Sequence, residues 1–217
     1  MATLAAVRSF AALLLAAALS ASACSAGSDS DEAAGRAQPQ PPPPQETTVE
    51  VSARQYLKAE LPELALQPSD APQGMRYTKV ESGRKTLFDV GIVLDDQVEQ
   101  IRGMGVRGIH DAIFDSTTTD VRLASRIWLF AAPDGAERWF EKSRSEQELY
   151  GFQEVDAPPL GQDSWGAQGN VGAAVVTYAF RSGNVVVVTT YSTQSQELET
   201  TEALAAARRA EARLHAT

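Results

Sequence analysis

Apolar and polar positions from residue 122 to residue 191 follow three different patterns. In Arg122–Ala132 (RLASRIWLFAA), Leu123, Ile127 and Leu129 fall on one side of an extended chain, and Trp128 and Phe130 fall on the other. Apolar residues on both faces predict a central strand. Pro133-Asp134-Gly135 then opens a helix to about Leu149. Ala136, Trp139, Phe140 and Ser143 recur at i, i+3, i+4 and i+7, leaving Glu137, Arg138, Glu141 and Lys142 for solvent. Val171–Arg181 and Asn184–Tyr191 are rich in valine and threonine and meet at Ser182-Gly183. That spacing predicts a tight β-hairpin, with glycine supplying positive φ.

Weaker patterns fill the rest. Val49–Leu66 has helical character limited by Pro62, and Pro68–Gly74 reads as a turn. Met75–Glu81 alternates like a strand, and Ser82–Lys85 turns the chain. Leu87–Leu94 fits strand and helix equally. Asp95–Arg102 has acidic residues in its first turn and Arg102 in its last, which suits a helix dipole, and Gly103 stops it. Gly108–Ser116 is expected to be a strand. Gly151–Gly169 is expected to be a loop from its glycines and prolines. Gln196–His215 is an Ala-rich closing helix. The order β-α-β-β-α-β-β-α predicts a single α+β domain, with an antiparallel or mixed sheet and helices packed on one face.

The N-terminal stretch has a different pattern. Arg8 is the sole charged side chain before Cys24, and Phe10–Leu19 is an unbroken apolar run. A positive start, a short apolar run and small residues make a secretory signal peptide over residues 1–23. The run is too short for the roughly 20 residues that cross a bilayer. Ala21 and Ala23 suit cleavage before Cys24, and Leu19-Ser20-Ala21-Ser22-Ala23-Cys24 resembles the bacterial lipobox, with alanine where that family favours leucine. The resemblance implies diacylglycerol on the Cys24 sulfur. Cys24 is the one cysteine in the chain, so no internal disulfide competes for it. Two acyl chains would hold it at a membrane stably.

Residues 24–48 have no apolar period, and five of the chain's 11 prolines fall between Pro39 and Pro44. Proline runs are stiff, extended spacers, so this segment is read as a tether and 49–217 as the domain. Two pieces of the domain, Arg126–Phe140 and Phe180–Val188, together with the helix that closes the chain, resemble exported actinobacterial lipoproteins of uncharacterised function. The resemblance runs from Met75 to the C-terminus. It implies an envelope location and an α+β fold, and carries over no catalytic residue.

The formal net charge is −9, and loss of Arg8 with the leader makes it one unit more negative. An acidic surface argues against nucleic acid as a partner. Gly103–Gly108 matches G-x-G-x-x-G in spacing, but a helix precedes it and a strand follows, the reverse of a dinucleotide site. His110 and His215 are the two histidines. His110 and Asp111 on one strand would face opposite ways. Asp115–Asp120 lacks EF-hand spacing, and Ser164 lies outside any G-x-S-x-G elbow. No metal, cofactor or catalytic residue is therefore assigned, and the protein is read as a non-enzyme. Trp128 and Trp139 are expected in the core. Trp165, in the Gly-rich segment, is expected exposed and is the candidate ligand contact. The expectation is an extracytoplasmic binding or sensing module, held to the membrane by lipid on Cys24, that meets an unknown small molecule or an envelope protein. The alternatives are an assembly factor that docks a protein partner and, less favoured, a hydrolase.

Overall fold

The computed structural model of the chain describes residues 54–194 and 200–216. The leader, Cys24 and the proline-rich tether lie outside the described residues. The eight strands are β1 (Met75–Tyr77), β2 (Gly83–Lys85), β3 (Val106–Ser116), β4 (Arg122–Phe130), β5 (Gln153–Val155), β6 (Asp163–Asn170), β7 (Ala174–Ser182) and β8 (Val185–Thr193). They form one antiparallel sheet in the order β1-β3-β4-β8-β7-β6-β5, with β2 pairing alongside β1 on the same edge of β3. The helices are α1 (Leu61–Leu64), α2 (Asp95–Gly103), α3 (Pro133–Leu149) and α4 (Thr200–Ala216). The fold is α+β, and among the described residues no helix is long and apolar enough to cross a membrane.

The helices cover both faces of the sheet instead of one. On one face Leu123, Ile127, Val176, Phe180, Val185 and Val187 pack with Ala203, Ala206, Ala207 and Ala210 of α4 and with α1. On the other, Trp128, Phe130, Ala179 and Val186 pack with Trp139 and Phe140 of α3 and Ile101 of α2. The cause lies in β4, β7 and β8, which are apolar on both sides. A sheet with two apolar faces needs two covers. The alanines of α4 also bring that helix close to the sheet.

Two further expectations change. Residues 49–66 yield no long helix among the described residues; α1 is a single turn whose proline occupies its first positions, where the missing N–H costs nothing. The segment expected as a loop, 151–169, contributes β5 and most of β6. Its glycines serve packing: a Cβ on Gly166 would lie 2.8 Å from the Tyr178 ring, and one on Gly169 would lie 2.9 Å from the Phe152 ring. They are strand residues under aromatic side chains.

The N-terminal end of the described chain is tied to the β7–β8 hairpin. The buried Asn184 side chain donates to the carbonyls of Tyr56 (3.1 Å) and Phe130 (2.8 Å) and accepts from the Tyr56 N–H (2.7 Å). The Tyr56 hydroxyl donates to the Leu214 carbonyl near the end of α4. Gly183 turns the hairpin at φ 56°, and a Cβ there would run into the Arg54 carbonyl. The latch thus joins the chain's entry, the hairpin tip and the last helix.

Candidate functional site

The α3 face of the sheet carries a cleft of about 100 Å³. Its floor follows from the strand register. Asp111, Arg126, Val188, Ala179 and Trp165 form one row across β3, β4, β8, β7 and β6. The next row is Ile113, Ala124, Thr190, Thr177 and Ala167. Since side chains alternate between faces, both rows point to the α3 side. Alanine and threonine in the second row are too short to reach the helix, and this opens the cleft. Trp139, Ser143 and Gln147, on successive turns of α3, form the opposite wall.

All three tryptophans line this cleft. Trp128 and Trp139 sit 4.5 Å apart between ring centroids, and Phe140 lies 6.4 Å from Trp165. Trp165 is only 3% exposed, so the expected exposed loop residue is a buried strand residue. Pairing with β7 and cover by Phe140 bury it. Trp165 and Gln147 also line a smaller cavity of about 20 Å³ beneath Phe152. The core placement expected for Trp128 and Trp139 holds, and both also reach the cleft.

Polar groups in the walls are of two kinds. Asp111 and Arg126 are closed on each other: Nε donates to Oδ1 at 2.7 Å and Nη2 to Oδ2 at 2.8 Å. The second kind is unpartnered. Nε1 of Trp139, Nε1 of Trp165 and Oε1 of Gln147 are buried without a hydrogen-bond partner. Unmet buried polar groups cost about 1–3 kcal/mol each, and these three atoms are closed off from the cleft by the packing around them. The Ser143 hydroxyl donates to the Phe140 carbonyl, and the hydroxyls of Thr177 and Thr190 lie 3.3 Å apart.

Charges elsewhere are mostly committed to structure. Glu146, buried on α3 beside Lys142, has its carboxyl pushed up by burial. His110 points to the face opposite Asp111, and burial lowers its imidazole, with Arg84 and Lys85 adding to the effect against Asp111. Burial alone would raise the Asp115 carboxyl, but hydrogen bonds from Arg122 and Thr78 outweigh it and hold it low. Asp120 accepts from Thr193 and the Gln194 N–H. Ser164 donates to the Pro158 carbonyl. Among the described residues no group of three or more His, Cys, Asp or Glu is placed to hold a metal. The Gly103–Gly108 stretch joins the end of α2 to the start of β3, the order read from sequence.

The sequence reading missed Asp111 with Arg126, the helix residues Ser143 and Gln147, and the threonine pair. A signal for the first existed. Arg126 stands in the middle of a strand whose second half, Ile127–Phe130, is apolar on both faces, and a charge in that position needs a partner.

No protein-family model and no curated protein sequence matches the chain. Among solved structures, the extracellular domain of PknH from Mycobacterium tuberculosis is similar, with a TM-score of 0.56 and 14% sequence identity over 76% of this chain and 100% of that one. At that identity the likeness is one of fold: the chain shares its α+β architecture with the extracellular domain of a mycobacterial protein.

Proposed function

We propose that the domain is a non-catalytic ligand-binding or sensing module that works outside the cytoplasm, exported by its leader and held at the membrane through lipid on Cys24. The observation that carries the binding reading is the cleft under α3, walled by Trp128, Trp139 and Trp165 with Ser143, Thr177 and Thr190 beside them. Apolar walls with a few polar side chains are the usual make-up of a small-molecule site. The similar extracellular domain of PknH supports the location. The divergence of His110 and Asp111 to opposite sides of the sheet supports a non-catalytic role.

Native mass spectrometry of the chain purified from its own envelope tests this reading. A stoichiometric small-molecule adduct is expected on the natural chain, and none on Ala124→Leu, which fills the cleft. A bare natural chain, or an adduct that survives Ala124→Leu, would count against it. The assembly-factor reading is favoured by a separate observation. Val80, Phe88, Val93 and Leu94 are 90%, 75%, 55% and 48% exposed on the segment between β1 and α2. Exposed apolar groups so close in sequence suit a protein contact. A photo-crosslinker at position 88 capturing one envelope protein would favour that reading, and capture of none would remove it.

A further inference from the structure

We infer that the sheet edge made by β1, β2 and their turns rests on an anionic lipid surface. Val80 and Phe88 dip into it, and Arg76, Lys79, Arg84 and Lys85 meet its headgroups. The inference rests on the membrane location proposed above and uses neither the cleft nor the lipid on Cys24. The strand register sets the layout. β1 and β2 follow one another along the same edge of β3, with Tyr77 opposite Phe114 and Lys85 opposite Ile109. The chain turns away from that edge twice. At Thr78–Ser82 the N–H groups of Glu81 and Ser82 donate to the Thr78 carbonyl, and the Ser82 hydroxyl accepts from the Ile113 N–H. At Thr86–Asp89 the N–H and hydroxyl of Thr86 donate to the Asp89 carboxylate. Val80 is 90% exposed on the first turn and Phe88 75% exposed on the second. Hydrogen-bonded turns thus hold two large apolar side chains out in water.

Charge identifies what covers them. The chain is acidic, with a formal net charge of −9, yet residues 75–88 carry four cations and one carboxylate. That carboxylate, Glu81, is taken by Arg122. Among the described residues Arg76, Lys79, Arg84 and Lys85 form no ion pair, whereas Arg54, Arg126, Arg144, Arg181 and Arg213 each do. Asp89 is bonded to Thr86, and Asp95 and Asp96 bound the patch at the start of α2. Surface charges are screened beyond about 10 Å at 0.1 M salt, so an approaching bilayer meets these cations and not the distant carboxylates. Cations beside an anionic surface and apolar tips in its headgroup region reinforce each other. A protein contact needs a continuous complementary area. Here the tips stand apart by the length of β2, and a fluid surface accepts them singly. The contact is weak and reversible; it orients a domain held nearby and does not anchor it.

The test is co-sedimentation of the full chain carrying Cys24→Ala with vesicles of phosphatidylcholine, with and without phosphatidylglycerol, at low and high salt. Sedimentation is expected with the anionic vesicles alone, and high salt should reverse it. Lys79→Gln with Arg84→Gln is expected to weaken partitioning about tenfold, and Val80→Ser with Phe88→Ser about tenfold. All four side chains are exposed, so the melting temperature should not move. Leu149→Ser, at a position 63% exposed at the end of α3, should change nothing. Absence of sedimentation, or equal sedimentation with neutral vesicles, would overturn the inference. So would partitioning that both double variants leave unchanged, or that Leu149→Ser lowers as much. If the chain ignores vesicles while a photo-crosslinker at position 88 captures one envelope protein, the edge belongs to a protein partner instead. Failure on vesicles leaves the lipid anchor and the binding cleft standing, since those are judged by the lipid mass at Cys24 and by the adduct.

Discussion

Several side chains of this domain are held in ways that cost stability, and each can be relieved singly. Thr189, fully buried on β8 toward α4, has a hydroxyl without a partner. Thr189→Val removes the unmet group with little change of shape and is expected to stabilise by about 1 kcal/mol in urea unfolding. Glu146 is held with its carboxyl pushed up by burial. Because the unfolded chain ionises near 4.5, the folded state loses stability relative to it as pH rises above that value. Glu146→Gln is therefore expected to raise the melting temperature at pH 7 by about 2–4 °C, with the gain vanishing near pH 4. Trp165 shows how much a single residue's reading depends on its neighbours. From sequence it sat among glycines with nothing to bury it, and only the pairing of β6 with β7 and the approach of Phe140 put it inside. Trp165→Ala should accordingly unfold at markedly lower urea, by about 3–5 kcal/mol.

At the scale of elements, what the sequence showed was what local periodicity controls. β4, α3, α2 and the β7–β8 hairpin lie within a few residues of where their patterns place them, since each repeats its period long enough to be read. β6 was hidden because its glycines answer to rings distant in sequence, Phe152 over Gly169 and Tyr178 over Gly166, and β5 because it is only three residues long. Composition there looks like a loop, and only tertiary contact makes it a strand. The second helical face was hidden for a related reason. Two-sided apolar strands announce two covers, but not which helix goes to which side. The cleft was out of reach for the same cause, as its rows span five strands. Stability should follow pairing length. In hydrogen exchange, β4, β7 and β8, paired over eight or nine residues on each side, are expected to be the slowest, and the three-residue strands β1, β2 and β5 the fastest.

For the whole molecule, His110 and Asp115 both contribute to the fall of stability on the acid side. The unfolded chain binds a proton at His110 near pH 6.5, while the folded imidazole, lowered by burial, resists it. Stability is expected to decline as pH drops below 6.5, and His110→Gln should flatten that decline. Asp115, held low by Arg122 and Thr78, contributes stability above its unfolded value near 3.8 and loses it below. The proposed membrane anchor is tested at Cys24. Cys24→Ala is expected to move the protein out of the membrane fraction, and the natural mature N-terminal peptide should carry a lipid mass. Retention in the membrane without that mass would mean another anchor.

The Asn184 latch has a consequence for load. Any pull on the chain N-terminal to Arg54 reaches the domain first at Tyr56, where one buried amide holds the backbone by two hydrogen bonds and is itself anchored to the Phe130 carbonyl, and the Tyr56 hydroxyl ties into α4. The tension therefore enters the tip of the hairpin formed by two long inner strands and passes into the sheet's midline, instead of peeling a short strand from an edge. In a single-molecule pulling experiment, Asn184→Ala should lower the rupture force from this end while leaving a pull applied through residues at β5 nearly unchanged. The domain is built to stay folded under a pull from its N-terminal side.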